Sequence, residues 1–350
     1  MNGSAIVDAA ELGMFRPRQK FQHLAEDHVP LDKLTGTTRF ESRALRTITS
    51  GETVVGVVGP RGGGKSSLIA AVCTGLPEEF IALRVPVTGA DDPASVSVMA
   101  AVALSQALAD IEMARHQQEA IQTARADETT AERVSGSRGG TLGGGLIPAQ
   151  IHAELDSLRK AQTTNSLAVD RLSGLDRLID ILAARQRRPI FVLEDTEAAI
   201  GADEESDAEK FLAGPLHALV HEVDAACLIA IQDVFTAAHS FKQLAPSMAL
   251  VELPRFGEAD AAEALGAIVE NRLGQHGCTS EASAILDEDA FHLLVSLYEE
   301  SEGNLRSTLA VLQSATEYAA DASAERVGLG HVRGAIGDWR DRLPVTPKAT

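Results

Sequence analysis

The sequence is poor in cysteine, in aromatic residues and in positive charge, and each shortage narrows the class of protein. Its three cysteines, Cys73, Cys227 and Cys278, lie far apart without a C-x-x-C pair, which disfavours a zinc site or disulfide framework and favours a reducing cytoplasm. Aromatic residues make up only 4% while alanine is abundant, which predicts many helices. The formal net charge of −19 disfavours non-specific binding to phosphate backbones. We therefore expect direct DNA binding to be weak without a local basic patch or a partner subunit.

Long hydrophobic runs are also missing. The most apolar stretch, residues 95–109, is short and contains serine and glutamine, so it predicts a buried helix and not a membrane span. Residues 1–20 lack the basic-then-apolar layout of a signal peptide. Together these observations predict a cytoplasmic protein that does not enter the membrane. An acidic run at 201–209 predicts a solvated loop or helix start, with a docking surface for a basic partner as the alternative.

The stretch GVVGPRGGGKSS, residues 56–67, has the pattern of a phosphate-binding loop. Gly59, Gly64, Lys65 and Ser66 fit G-x-x-x-x-G-K-[ST], with a strand pattern before the loop and a helix pattern after it. Glycines let backbone N–H groups face an anion, and the helix N-terminus adds a favourable dipole. We expect Lys65 to reach the β- and γ-phosphates of ATP and Ser66 to bind Mg²⁺. The predicted nucleotide-binding residues are Gly59, Pro60, Arg61, Gly62, Gly63, Gly64, Lys65, Ser66 and Ser67.

The order of apolar segments predicts an α/β domain with a parallel five-stranded sheet and helices on both faces. An N-terminal arm is expected over 1–47, the α/β domain over 48–255 with a helical and glycine-rich insertion at about 110–170, an all-helical domain over 256–343, and a tail over 344–350. The strands are predicted at 53–59, 80–86, 190–194, 227–232 and 249–253.

Two acidic residues, Glu194 and Asp195, follow the apolar strand IFVL. The carboxyl ends of parallel strands face one crevice, so these carboxylates are predicted to lie near a bound metal and an attacking water. The alternative is a strand that runs out into acidic solvent.

At this point the chain resembles the AAA+ ATPases over about residues 38–343. GPRGGGKS resembles their Walker A motif and IFVLED their Walker B motif, while LIAIQD takes the place of the sensor-1 strand. GNLRSTLAVLQSA, residues 303–315, resembles the sensor-2 segment of the lid, the small helical domain that follows the sheet. The chain is most similar to the initiator or origin-recognition type and to the related STAND-like ATPases.

The resemblance implies a role for each matching residue. Glu194 takes the metal-side place and Asp195 the water-activating place, Gln232 orients water, and Arg306 reaches the γ-phosphate from the lid. For Arg306 the alternative is an ordinary exposed helix arginine. Most relatives have Asp first in the acidic pair, whereas here Glu precedes Asp.

An arginine finger is missing from its usual place between Gln232 and Pro254. This segment contains no arginine, and Lys242 is its only lysine. Either Lys242 or Arg255 replaces the finger, a partner supplies it, or none is used. Because fingers contribute about 10³–10⁵-fold in rate, slow hydrolysis is predicted.

Three functions follow from the resemblance. The first is an ATPase that couples Mg-ATP binding and hydrolysis to assembly with a protein partner, or with copies of itself, or to remodelling of that partner. The second is a slowly hydrolysing switch or scaffold of the STAND type. The third is a regulator of a DNA-acting complex through a separate DNA-binding subunit.

Overall fold

The computed structural model describes most of the predicted α/β and helical domains. Most of the predicted insertion at 110–170, including the glycine-rich run 135–145, lies outside the described residues, as does Asp195. The described residues are 4–17, 21–35, 40–51, 54–85, 87, 100, 103–104, 106–108, 111, 168–194, 196, 204–223, 225–278 and 281–342.

A five-stranded sheet forms the centre of the α/β domain, and all its strands pair in parallel in the order β2-β3-β4-β1-β5. All five predicted strands are confirmed, with ends that shift by at most two residues. Because β4 lies between β1 and β3, the loop after β1 and the acidic end of β3 share one edge of the sheet. The strands are β1 Val54–Gly59, β2 Phe80–Arg84, β3 Arg188–Leu193, β4 Ala226–Gln232 and β5 Met248–Glu252.

Both faces of the sheet are covered. Every residue of β1 is buried, as expected for a central parallel strand made of valine and glycine. Val55 and Val57 belong to the apolar core on one face, whereas Val54 and Val58 belong to the core on the other. The helices of this half of the chain are α1 Ser4–Glu11, α2 Phe21–Leu24, α3 Leu31–Thr35, α4 Phe40–Thr49, α5 Lys65–Thr74, α6 Ala168–Ala183, α7 Glu204–Phe211, α8 His217–Glu222 and α9 His239–Leu244.

The helical run between β3 and β4 is interrupted. A π-helical turn at Leu212–Leu216 separates α7 from α8, and it contains Pro215. Proline has no N–H to donate to the turn before it, so the regular helical ladder cannot continue through this position.

The helical domain after β5 is a bundle whose helices bury one apolar stripe each. Leu265, Ile268, Val269 and Leu273 of the first helix, spaced so that they lie on one helix face, are buried in this core. The helices are α10 Glu258–Gln275, α11 Glu288–Glu300, α12 Leu305–Asp321 and α13 Leu329–Arg342.

The N-terminal segment contributes to both domains. Helix α1 packs on α12, and Ile6, Met14 and Phe15 are buried in the core of the helical domain. Leu31 and Leu34 of α3 are instead buried in the core beside the sheet. We call the described residues of 4–35 the N-terminal strap, because this segment connects the two cores.

Candidate nucleotide site

The loop between β1 and α5 wraps around a buried lysine. Lys65 is the first residue of α5 and only 6% exposed. Its Nζ donates hydrogen bonds to the carbonyl oxygens of Gly59 at 3.0 Å and Pro60 at 2.8 Å. Gly62 and Gly64 have φ of 72° and 96°, a left-handed backbone that favours glycine. The loop thus has the backbone of an anion cradle, with a fixed ammonium group at its base.

A cavity opens on this loop, and we call it the phosphate cavity. Eight predicted site residues meet there, and four of them carry polar or charged groups suited to a phosphate or a metal: Lys65 and Ser66 from the loop, Glu194 after β3, and Arg306 from the lid. The Lys65 ammonium and the Glu194 carboxylate therefore lie beside the Ser66 hydroxyl. The Arg306 guanidinium reaches the same cavity from the lid. The remaining lining residues are Pro17, Leu24, Gly62, Gly63, Gly64, Ser67, Arg272, Leu305 and Leu309.

Glu194 is buried and pairs with an arginine of the neighbouring strand. Arg84, at the end of β2, forms an ion pair with the Glu194 carboxylate. The Arg84 guanidinium also lies over the ring of Phe21 in the strap, 5.1 Å from its centroid. Nearby, burial and the negative charge of Glu194 raise the pKa of the Cys73 thiol to about 12. The charge of Glu194 is thus balanced by a residue that sequence reasoning did not select.

Gln232 ends β4 and is paired in register with Gly59 of β1. Its side chain is 9% exposed, and among the described residues it does not line the phosphate cavity. The next residue, Asp233, forms an ion pair with Arg255, and this hydrogen bond raises the pKa of Arg255. Arg255, one of the two residues predicted to replace the arginine finger, is therefore paired within its own chain. The other, Lys242, is exposed on α9.

The lid touches the glycine-rich loop directly at Gly62. The backbone N–H of Arg306 donates to the Gly62 carbonyl at 3.3 Å. Asn304 caps α12 by accepting from the Ser307 N–H at 3.1 Å. A Cβ at position 62 would overlap the Asn304 side-chain oxygen. Glycine at this position thus serves the contact between domains as well as the left-handed turn.

A second, apolar cavity continues from the first one and is suited to a planar base. Phe256 and Tyr298 are its aromatic residues, and burial raises the pKa of the Tyr298 hydroxyl. Sequence reasoning missed this cavity because its walls come from the strap, the glycine-rich loop and the start of α5, the segment after β5, and the lid, and no local pattern links them. Its other lining residues are Asp27, His28, Val29, Leu31, Leu34, Gly63, Gly64, Ser67, Leu253, Ala261, Ala264, Leu265, Ile268, Arg272 and Leu305.

The site fits Mg²⁺ bound together with a nucleotide, because a hydroxyl and a carboxylate lie beside an anion cradle. No group of three or more His, Cys, Asp or Glu side chains in the described part of the chain could hold a metal alone. Mg²⁺ commonly keeps waters and uses one or two protein oxygens together with phosphates, so this donor set is sufficient.

The parallel sheet, the glycine-rich loop and the lid that touches it have the predicted AAA+ fold. Within this class the fold is similar to that of an origin-recognition protein. The Orc1 protein of Aeropyrum pernix in complex with DNA aligns with a TM-score of 0.51 and 15% identity, covering 91% of this chain and 70% of that one. Helices in the described residues are all too short or too polar to cross a bilayer.

Two further solved structures are similar at lower scores. The Aeropyrum pernix ORC2 protein, in ADPNP–ADP complexes, aligns with a TM-score of 0.49 and 14% identity over 91% of this chain and 69% of that one. Cdc6p from Pyrobaculum aerophilum aligns with a TM-score of 0.47 and 13% identity over 95% and 74%. No protein-family model and no curated protein matches the sequence.

Proposed function

We propose that this chain binds Mg-ATP between its two domains and hydrolyses it slowly, coupling the nucleotide state to contacts with a protein partner. The observation that carries the proposal is the meeting of Lys65, Ser66, Glu194 and Arg306 in one cavity that continues into an apolar one. A triphosphate needs cations and backbone donors, which the phosphate cavity supplies. A base needs an apolar slot, which the adjoining cavity supplies.

Each residue has a defined task in this proposal. Lys65 and the loop N–H groups bind the phosphates, and Arg306 brings the lid to the terminal phosphate. Ser66 and Glu194 hold Mg²⁺, which when bound supplies charge neutralisation of the phosphates. Asp195 activates water, and Gln232 orients it from the end of the neighbouring strand.

Slow hydrolysis is supported by the engagement of Arg255. In a fast AAA+ enzyme an arginine finger stabilises the charge that develops on the terminal phosphate. Here Arg255 pairs with Asp233 of its own chain, and Arg84 pairs with Glu194. These pairs favour the second candidate function, a switch that holds ATP and changes partner contacts through the lid. Under either function the strong negative charge favours protein partners, or copies of the chain, over direct contact with DNA.

Binding and turnover measurements test the proposal. We expect wild-type protein to bind ATP, Lys65→Ala to lose most of that affinity, and Asp195→Asn to bind ATP normally but to hydrolyse it more slowly. Detectable wild-type turnover that Asp195→Asn abolishes supports the ATPase, whereas tight binding with no turnover supports the switch. Absence of ATP binding by the folded wild-type protein would overturn both.

A change of mass in solution on adding ATP tests the partner side of the proposal. Assembly into a larger species with ATP, but not with Lys65→Ala, indicates that copies of this chain are the partner. A monomer in both states would remove self-assembly from the proposal and leave a different protein as the partner.

A further inference from the structure

The N-terminal strap is fastened to the lid by hydrogen bonds as well as by its apolar residues. The Gln313 side chain of α12 accepts from the Phe15 N–H at 3.0 Å and donates to the Ala10 carbonyl at 3.3 Å. Farther along the strap, the Asn271 side chain donates to the Asp27 carbonyl at 3.4 Å. In each of these hydrogen bonds a side chain of the lid contacts the backbone of the strap, so the lid holds the strap in place.

Arg272 of α10 is the residue on which these contacts converge. Its Nη1 donates to the carbonyl oxygens of Met14 at 3.3 Å and Arg16 at 3.1 Å, and its Nη2 pairs with the Asp27 carboxylate at 3.2 Å. One planar guanidinium thus contacts the strap at two places, residues 14–16 and residue 27. Arginine suits this task because its donors lie in a fixed fork, which lysine lacks.

The Asp27–Arg272 pair is buried. Its side chains are 3% and 7% exposed, respectively, which contrasts with Arg16–Glu317, another ion pair between the strap and the lid, whose side chains are 67% and 40% exposed. Removing one partner of a buried pair leaves a charge in an apolar setting, whereas an exposed pair contributes little. The two ion pairs therefore provide a test residue and a matched control between the same two elements.

Arg272 also lies at the junction of the two cavities. It is the one charged residue, among the described lining residues, that borders both the phosphate cavity and the apolar cavity. On the apolar side the strap supplies Asp27, His28 and Val29 as one wall. Asp27 of this wall is the residue that pairs with Arg272.

We infer that Arg272 is a positioning residue for the nucleotide base: through Asp27 it locks the strap against the lid and so builds the wall of the apolar cavity. The inference rests on the proposed nucleotide binding and deepens it, since it separates recognition of the base from recognition of the phosphates. The strap and lid then close on a nucleoside as one body, while the loop at Lys65 holds the phosphates independently.

Comparing ligands with and without a base tests this inference. Affinities for ATP, ADP and inorganic tripolyphosphate are measured on wild type, Asp27→Asn, Arg272→Met, Arg272→Lys and the control Arg16→Met. We expect Asp27→Asn and Arg272→Met to weaken ATP and ADP by about tenfold or more, since a preorganised wall is lost, with Arg272→Lys in between. Tripolyphosphate affinity stays within about twofold in every variant, and Arg16→Met leaves all three unchanged.

Hydrogen exchange gives a second reading that does not depend on ligand affinity. Amides of residues 10–16 and 21–31 should exchange faster in Asp27→Asn and Arg272→Met than in wild type, while those of β1 and β4 stay protected. If Arg272→Met does not fold, Asp27→Asn and Arg272→Lys, which preserve side-chain volume more closely, decide the question.

Two outcomes overturn the inference. If Arg272→Met weakens tripolyphosphate while Asp27→Asn leaves ATP unchanged, Arg272 binds phosphate directly and does not act through the strap. If neither variant changes ATP affinity, the pair has only a structural role. Failure of wild type to bind either ATP or tripolyphosphate is a different result, because it rejects the proposed function itself.

Discussion

Arg84, exposed at the end of β2, pairs with Glu194, buried after β3, and thereby places a counter-charge beside the phosphate cavity. The two strands are neighbours, with Arg84 in register with Val192, so the sheet itself sets the distance between the charges. A buried carboxylate without such a partner would be strongly unfavourable. The fold therefore stabilises an acidic group at this position before any metal is bound.

The pair should make a measurable contribution to stability. We expect Arg84→Met to lower the free energy of unfolding by about 1–2 kcal/mol, less than for a fully buried pair because Arg84 is half exposed. Glu194→Gln in the same background should recover part of this loss, since the uncompensated charge is then gone. Urea unfolding of the two single variants and the double variant measures the coupling. A coupling equal to that of the exposed pair Arg340–Glu300 would contradict the expectation.

Gly62 should not tolerate a side chain. Gly62→Ala strains a left-handed backbone and also forces a methyl group against Asn304 of the lid. Gly277→Ala is a matched control, because Gly277 has φ of 78° but open space around a Cβ. We expect the control to lose about 1 kcal/mol of stability and Gly62→Ala to lose at least about 1 kcal/mol more. Faster hydrogen exchange over residues 304–309 in Gly62→Ala alone would show that the lid contact is the part that breaks.

Glu41 should make stability depend on acidity. Burial opposes ionisation of this carboxyl, but hydrogen bonds from His28 at 2.6 Å and the Leu31 N–H at 2.9 Å lower its pKa overall. A lowered pKa in the folded state means that the stabilisation is complete above the unfolded-state pKa and is lost as pH falls through the folded-state value. Glu41→Gln should therefore cost about 1–2 kcal/mol at pH 7 and less at acid pH.

Thermal unfolding of Glu41→Gln and wild type between acid pH and pH 7 measures how their difference in stability depends on pH. Glu325→Gln, on an exposed side chain of the lid, is the control and should match wild type at each pH. A difference between Glu41→Gln and wild type that does not shrink on acidification would argue against an ionised Glu41 as its source.

The three thiols should differ in reactivity. Burial raises the pKa of Cys227 to about 12, and burial together with the charge of Glu194 does the same for Cys73. The thiolate is the reacting form, so both should resist a thiol reagent at pH 8 until the chain unfolds. Cys278 is free and partly exposed in the lid and should react in the folded protein. One fast equivalent that Cys278→Ser removes confirms this order, and a second fast equivalent contradicts it.

The strands, the glycine-rich loop and the stripes of the lid could be predicted because each is a local pattern. The valine run that ends in G-x-x-x-x-G-K-S can be recognised from a few consecutive residues. The same is true of the apolar stripe from Leu265 to Leu273. Lys65, Ser66, Glu194 and Arg306 could likewise be selected, although their roles remain predictions.

What the sequence did not reveal depends on distant partners. Nothing beside Arg272 marks it as different from the other helix arginines, since its partner Asp27 lies far away in the sequence, between α2 and α3. Arg84 is similarly distinguished only by its ion pair with Glu194, which follows another strand. The apolar cavity is built from parts of the strap, the glycine-rich loop, the segment after β5 and the lid, so its residues become a site only after folding.

The placement of α1 in the core of the lid has a consequence for synthesis of the chain. The contact of Arg16 with Glu317 spans 301 residues, and at about 5–20 residues per second the ribosome needs on the order of 15–60 s to supply that partner. During this interval the apolar side chains of Ile6, Met14 and Phe15 have left the ribosome without the helices that later bury them. The helices of the lid are made long after the strap, and the strap is therefore the segment that a chaperone would be expected to protect during synthesis.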